Sequence, residues 1–279
     1  MTFFSELIDR MANNPFIYRV VLNLLAKVEF KRDLCLNVRG LKMYSDTPDR
    51  FLASLLWKTA ILESYETRLL QQLVKPGMRV VDIGANIGYY ALLLARLVGQ
   101  TGKVIAFEPD QNNYRLLLKN AVRNGLTTIT AVEKAVADYT GRARLFINKG
   151  HRGDHRLFDP EGQRPSIEIE TTTLDDFLAD SPVDIIKMDI QGAEWLALQG
   201  MQVTLASNPE LVMLIEFSPY HLQESGADPA GLLDLIRFAG FDIKLIDEKQ
   251  KKLYPVSRAA LLSRCNGRHY ENLLLVKRK

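Results

Sequence analysis

Two cysteines are all that 279 residues contain, and Cys35 and Cys265 stand far apart without metal-ligand spacing. They make neither a disulfide framework nor a cysteine metal site, and reduced thiols point to a cytoplasmic setting. An excess of charge of one sign is missing too. The formal balance is +3, too little for a broad phosphate-binding surface. No interleaved basic and aromatic patch appears, so no nucleic-acid partner is expected. Lys277-Arg278-Lys279 reads as a solvated tail. No apolar run reaches the length of a membrane span, and Glu6 and Asp9 stand where a signal peptide carries basic residues. Internal repeats and low-complexity tracts are absent. What remains is ordinary globular composition, 47% hydrophobic and 25% charged, in a chain long enough for one large core plus an accessory segment.

One glycine pattern is also absent. Val80-Val81-Asp82-Ile83-Gly84-Ala85-Asn86-Ile87-Gly88-Tyr89-Tyr90 runs from apolar residues through an acid and a glycine turn into the apolar helix Ala91–Val98. This is the strand, turn and helix that open a βαβ unit and receive a nucleotide-like ligand. A dinucleotide fingerprint needs glycine at the first, third and sixth positions of the turn, but here these are Gly84, Asn86 and Tyr89. The acid-x-Gly-x-x-x-Gly spacing resembles instead motif I of class I S-adenosylmethionine-dependent methyltransferases. Asn86 stands at the middle position, and Asn tolerates left-handed backbone better than most residues. The resemblance implies S-adenosyl-L-methionine as cofactor, held around Asp82, Gly84, Ala85, Asn86, Gly88 and Tyr89.

One strand later, Lys103–Phe107 leads into Glu108 and Pro109. An acid there can accept hydrogen bonds from both ribose hydroxyls, and Pro109 ends the strand. Asp110 then opens a helix through Asn124.

From Arg79 onward strands and helices alternate, which predicts an α/β fold with a mainly parallel sheet covered on both faces. Strands are expected near 79–84, 103–108, 129–136, 184–190, 210–217, 241–246 and 272–276. The full expectation is a doubly wound, class I methyltransferase-like seven-stranded sheet. After the third strand, Arg142–Asn148 and Ser166–Thr173 alternate like a β-hairpin around the polar loop His151–Pro165. Helices are expected over 63–73, 192–206 and 228–239. Residues 1–35 show helical spacing at Phe3, Phe4, Leu7, Ile8 and Met11, and again at Ile17, Val20, Val21, Leu24 and Leu25. A packed accessory helix fits them, with a membrane-surface or partner-binding helix as the alternative. Residues 36–60 carry no clear pattern, and Pro48 breaks them. The division expected is a helical accessory segment over 1–60 and a cofactor-binding domain over 61–279.

A second chemistry-bearing segment is Asp184-Ile185-Ile186-Lys187-Met188-Asp189-Ile190-Gln191-Gly192-Ala193-Glu194-Trp195. Period-two alternation puts Lys187 and Asp189 on one side of the strand, with Asp189 at its carboxyl end, the edge that carries ligands in open α/β sheets. Gly192 permits a turn, and Glu194 falls in the first turn of the next helix. Taken alone, the segment is better read as Asp189 capping the helix with Lys187 as its ion-pair partner, because structural ion pairs also gather charges.

Together with Thr171-Thr172-Thr173-Leu174-Asp175-Asp176-Phe177-Leu178 these motifs closely resemble the FkbM family of S-adenosylmethionine-dependent methyltransferases over about residues 61–217. That family's pattern at this strand is close to Ile-Lys-Ile-Asp-x-Glu-Gly-x-Glu; here Gln191 stands in place of the usual Glu. The resemblance implies O-methylation of a hydroxyl on a small molecule, glycan or polyketide-like acceptor. Methylation of a nitrogen or an RNA ribose, or an inactive cofactor-binding partner protein, are the alternatives. Asp189 is the candidate base, Lys187 its orienter or charge partner, and Glu194 the second carboxylate. Ala135 and Val136 are expected to offer backbone groups to adenine, with Asp138 beyond them, either at the adenine edge or as a turn acid before Gly141. Tyr65-Glu66 match a Tyr-Glu of the family, and Glu66 is a candidate for the methionine end. The loop Gly153-Asp154-His155-Arg156-Leu157 and Glu216 are candidates to line the acceptor pocket. No acidic pair completes a metal site beside Asp189, and Lys187 would repel a cation, so no metal is expected. Oligomeric state is left open.

Overall fold

The computed structural model describes residues 34–45 and 64–278. Its first element is a hairpin of β1 (Leu34–Val38) and β2 (Leu41–Ser45), paired antiparallel from Leu34↔Ser45 to Val38↔Leu41. Arg39 and Gly40 form the turn at φ 51° and 80°, the left-handed pair that a two-residue hairpin requires. The expected helical segment over 1–60 is therefore strand wherever it is described, including Leu34 and Cys35. The rest of that helical reading lies outside the described residues. Helix α1 (Ser64–Leu73) follows and carries the buried Leu69 and Leu70.

The alternating unit then runs β3 (Arg79–Ile83), α2 (Tyr89–Val98), β4 (Lys103–Phe107), α3 (Gln111–Arg123) and β5 (Ile129–Val132). The strand expected over 129–136 is two strands. After β5, β6 (Ala135–Val136) leaves the main sheet and pairs in parallel with a later strand. It joins β7 (Gly141–Phe146) and β8 (Ser166–Thr172) in a three-stranded insertion of order β6-β8-β7. Next come α4 (Leu174–Leu178) and β9 (Ile185–Met188).

The helix expected over 192–206 is also broken, into α5 (Glu194–Gln199) and α6 (Gln202–Ser207). The cause is local. The Asp175 carboxylate accepts from Val203 N and Thr204 N at 2.9 and 2.7 Å, which starts a new helix at α6. Gly200 packs where a Cβ would lie 1.9 Å from the Ala137 carbonyl oxygen. The chain ends with β10 (Val212–Phe217), α7 (Pro219–Glu224), α8 (Pro229–Phe238), β11 (Phe241–Asp247), β12 (Lys252–Pro255), α9 (Arg258–Arg264) and β13 (Glu271–Lys277).

The main sheet has the order β12-β11-β13-β10-β9-β3-β4-β5. Strands β10, β9, β3, β4 and β5 are mutually parallel, and β13 runs antiparallel between β10 and β11. The seven expected strands are all present, and β12 adds an eighth at the edge as a hairpin with β11. Among the described residues no helix is long and apolar enough to cross a membrane.

Apolar layers cover both sheet faces. Val81, Ile83, Ile186 and Met188 face the layer built with α5, α6 and α8, while Val80 and Ile185 face α1 and α2. Alternation therefore puts Asp82 and Lys187 under α2, side by side in the β3–β9 register. Chain order reverses between β3 and β9, which makes their carboxyl ends the switch point where α/β sheets bind ligands.

The hairpin reaches this edge through α3. Asn120 accepts from Tyr44 N at 2.6 Å and donates to Tyr44 O and Ile87 O at 3.2 and 2.8 Å. One turn on, Asn124 accepts from Lys42 N and donates to Lys42 O at 2.9 and 2.8 Å. Two helix amides thus do for β2 what a neighbouring strand would do, and they tie it to the glycine turn. Asn120 is 0% exposed. We predict that Asn120→Ala lowers stability by about 2–4 kcal/mol, because it leaves buried backbone groups unpaired. Asn124→Ala, whose bonds are exposed, should cost under about 1 kcal/mol. Urea denaturation followed by circular dichroism distinguishes the two.

Candidate active site

The site begins at a turn that only glycine can make. Gly84 has φ 84°, and a Cβ there would lie 2.2 Å from the Asp189 carbonyl oxygen. Gly84 N and Ala85 N both donate to Phe107 O, at 3.0 and 2.9 Å. The end of β3 is thus closed against β4 on one side and the end of β9 on the other. Asn86 takes φ 51° and Gly88 φ 97°, and Gly88 lets Leu92 and Leu117 close over the turn.

The turn then grips Glu108. Its Oε2 accepts from Asn86 N at 2.8 Å and its Oε1 from Asp110 N at 2.9 Å. Each oxygen keeps acceptor capacity, as two ribose hydroxyls need. Burial pushes Glu108 up to about 8, although these N–H donors favour the anion. Asp110 caps α3 through Asn113 N at 2.9 Å, and Asn113 Oδ1 is buried without a partner among the described residues.

A cleft opens here between the strand ends and the insertion. Ile83, Phe107, Val136, Leu145 and Leu157 give it apolar walls, and Glu108 and Asn113 give it polar ends. Apolar walls for a base, a fixed strand-end acid and a glycine turn at the switch point fit S-adenosylmethionine.

Ten of the expected residues line this cleft: Gly84, Asn86, Glu108, Pro109, Ala135, Val136 and Asp189, and from the loop Gly153, His155 and Leu157. Asp82, Ala85, Gly88 and Tyr89 build the turn from beneath and are buried or packed within it. Tyr89 is held by its hydroxyl against Thr67 Oγ1 at 3.3 Å. Asp138 is exposed and does not line the cleft, the position of a turn acid: β6 turns the chain into the insertion and Ala137 packs on Gly200, carrying Asp138 outward. Sequence reasoning missed Asn113, Lys134, Arg152 and Leu145 in the lining. Asn113, one turn after the Asp110 cap, is the member with a readable signal.

The insertion folds its tip over this edge. His155 Nδ1 accepts from Asn148 N at 3.1 Å, so the ring proton sits on Nε2, which lies 4.0 Å from Asp110 Oδ2. Burial holds the His155 pKa below its usual value. The Asp154 carboxylate collects Arg156, Arg164 and Asn148. Arg156 Nη2 in turn reaches His221 Nε2 at 2.9 Å. Burial first, and then the Arg156 charge, press His221 down to about 4. The insertion is thereby pinned to α7.

On the other side of Gly84 stand the charged residues of β9 and β10. Lys187 Nζ is 4.0 Å from Asp189 Oδ2 and 4.2 Å above the Tyr90 ring. Burial raises Asp82 to about 6, with Lys187 pulling it back. Gln191 Nε2 donates to Asp189 Oδ1 at 2.7 Å and to Glu216 Oε1 at 3.1 Å. Glu194 accepts from Ile190 N and Gly192 N at 3.1 and 2.9 Å, and burial raises it to about 7. Its carboxylate is turned to the amides of its own loop. Glu66 accepts from Asn272 Nδ2 at 2.7 Å and lines, with Glu216 and Lys187, a small polar cavity beside Asp189. Among the described residues no group of three or more His, Cys, Asp or Glu is placed to hold a metal ion.

A seven-strand order with one reversed strand, and a glycine turn locked to a strand-end acid, define a class I methyltransferase fold. The family model of the methyltransferase FkbM domain matches residues 82–243, and the chain belongs to that family. A model of protein-L-isoaspartate(D-aspartate) O-methyltransferase matches residues 4–139. Among curated proteins, a 53-residue stretch is 42% identical to the 23S rRNA (uracil(1939)-C(5))-methyltransferase RlmD of Psychrobacter arcticus. That stretch is 19% of this chain and spans 10% of the relative's length. Similar solved structures include a putative rRNA-methylase from Clostridium thermocellum, at 12% identity and TM-score 0.48, covering 77% of this chain and 95% of that one. A SAM-dependent O-methyltransferase from Thermotoga maritima is 18% identical with TM-score 0.45, over 77% of this chain and 65% of the other. TYW2 of M. jannaschii, solved with AdoMet, is 15% identical with TM-score 0.48, over 90% and 89%.

The Glu108 grip generates a prediction. An acid held protonated up to about 8 becomes the better acceptor for ribose hydroxyls once ionised. S-adenosylhomocysteine should therefore bind more tightly as pH rises from about 6 to about 8, then level off. Glu108→Gln should bind about 10–100-fold more weakly and lose that slope. Calorimetry across pH measures both.

Proposed function

We propose that this chain transfers a methyl group from S-adenosylmethionine to a hydroxyl oxygen of a small-molecule, glycan or polyketide-like acceptor. The observation that carries the reading is the place of Asp189. Its backbone carbonyl touches the Gly84 turn, its carboxylate stands at the switch point, and it lines the same cleft as Glu108. Bound S-adenosylmethionine supplies the electrophilic methyl carbon. The protein must hold the acceptor oxygen in line with it and accept the hydroxyl proton as the new bond forms.

Asp189 is suited to accept that proton. Gln191 fixes one of its oxygens and Lys187 lies near the other, so the carboxylate is oriented and its charge is balanced. Lys187 sits between Asp82 and Asp189 and is assigned to stabilise the anionic form of Asp189. Glu194 is assigned a bracing role, because its two backbone donors shape the turn from Asp189 to Ala193. The insertion tip, with His155 and Arg156 pinned over the cleft, forms the wall against which an acceptor would rest.

The likeness to an rRNA methyltransferase over 53 residues favours a second reading, with a nucleic acid as acceptor. Labelled S-adenosylmethionine offered with pooled glycans and polyketides, and separately with rRNA fragments, separates the readings by which pool gains one methyl. Asp189→Asn keeps size but loses the base. It should cut transfer by about 10²–10⁴-fold with S-adenosylhomocysteine affinity little changed. Near-native turnover in this variant would remove Asp189 from the chemistry.

A further inference from the structure

Gln191 carries an unusual load for a surface-loop amide. It is a non-glycine residue at φ 54°, a left-handed conformation that L side chains disfavour. Both of its amide hydrogens are spent. One goes to Asp189 Oδ1 at 2.7 Å, at the end of β9, and one to Glu216 Oε1 at 3.1 Å, at the end of β10. These strands are neighbours in the sheet, so the amide cross-links two carboxylates that would otherwise repel each other. Reversing the amide would set its carbonyl oxygen against both anions. Its orientation is therefore fixed by charge. The consequence falls on the other end of the group. Oε1 takes no bond from the described residues and is not buried, and Gln191 lines the cleft.

We propose that Gln191 is a positioning and specificity residue of the acceptor site. Its NH2 group locks the Asp189 and Glu216 carboxylates in one arrangement. That lock turns Oε1 outward as an obligate hydrogen-bond acceptor, which selects molecules bearing a second donor, a hydroxyl or amine, next to the group facing Asp189. The inference rests on the methyl-transfer reading for its meaning, but its geometry is tested without turnover. The logic is chemical. A glutamate at this position would bring a third anion to the pair and need a proton or cation to bridge it, whereas the amide bridges with its own hydrogens. The same bridge leaves no donor for an acceptor's carbonyl or ether oxygen. A vicinal diol satisfies Asp189 and Gln191 Oε1 together; a lone alcohol satisfies one of them.

Two measurements on the S-adenosylhomocysteine complex decide it. In ¹⁵N-labelled protein the Gln191 side-chain NH2 signals should exchange slowly with water. Glu216→Gln should move them and speed their exchange. Exchange at the rate of a solvated glutamine, or indifference to Glu216→Gln, overturns the clamp. Saturation-transfer spectra are then recorded with cis-cyclohexane-1,2-diol and with cyclohexanol. Native protein should bind the diol at least about threefold better, and Gln191→Leu should bind both alike. Equal saturation by the two probes in native protein, or none by either, overturns the Oε1 role. If both measurements hold while no pool gains a methyl, the proposed reaction fails and the site geometry stands.

Discussion

The backbone of the turn at Gly84 touches the backbone of the chain at Asp189, and no side chain fits between them. The candidate site is arranged around that contact. It brings together the ends of two neighbouring strands whose onward connections go opposite ways, β3 toward β4 and β9 toward β10. On one flank the turn reaches Glu108 through Asn86 N; on the other it sets Asp189 at the cleft wall. A methyl group at residue 84 would push these flanks apart and separate Glu108 from the candidate base. Catalysis by positioning tolerates little of this, since misplacement by about 1 Å can cost a hundredfold.

The same closeness makes the site electrostatically expensive. Asp82, Lys187, Glu194 and Glu216 are buried at or beside one sheet edge. The fold compensates most of this charge, although Asp82 Oδ2 is buried without a hydrogen-bond partner among the described residues. Lys187 stands between Asp82 and Asp189, backbone amides hold Glu194, and an amide bridges Asp189 to Glu216. Asp82 and Glu194 are nevertheless raised to about 6 and 7 by burial. An acid raised in the folded state holds its proton longer than in the unfolded chain. Its contribution to stability is intact below the unfolded value and is lost as pH rises toward the folded one. These residues are thus retained at a cost in stability near neutral pH, which fits residues kept for chemistry.

How much of this was legible in the sequence depended on the kind of signal. Local backbone demands were readable: Gly84 and Gly88 for a turn, Pro109 as a strand end, Asp110 as a helix cap. Buried parallel strands were readable as continuous apolar runs. What escaped depended on distant partners. The β1–β2 hairpin is completed by Asn120 and Asn124, about 80 residues further along the chain. The break between α5 and α6 is made by Asp175, from the first turn of α4. Asp138 stayed open between the adenine edge and a turn because β5 and β6 read as one strand, and only the pairing of Ala135 with Thr171 shows the chain leaving the sheet. Gln191 showed in the sequence only as a replacement for the family's usual Glu; its bridge to Glu216 depends on the β9–β10 pairing, which sequence spacing does not encode.

The insertion has one property that bears on how such a protein changes over time. It leaves and re-enters at β6 and β8, which lie side by side, so its two ends are already closed by Ala135↔Thr171 and Val136↔Thr172. Residues between Phe146 and Ser166 can lengthen or shorten at a cost that grows only slowly with loop length. Neither Glu108 nor Gly84 need move when they do. A lineage could therefore exchange one acceptor for another by editing the tip of a single loop, while the glycine turn and the strand-end acid beneath it are inherited unchanged.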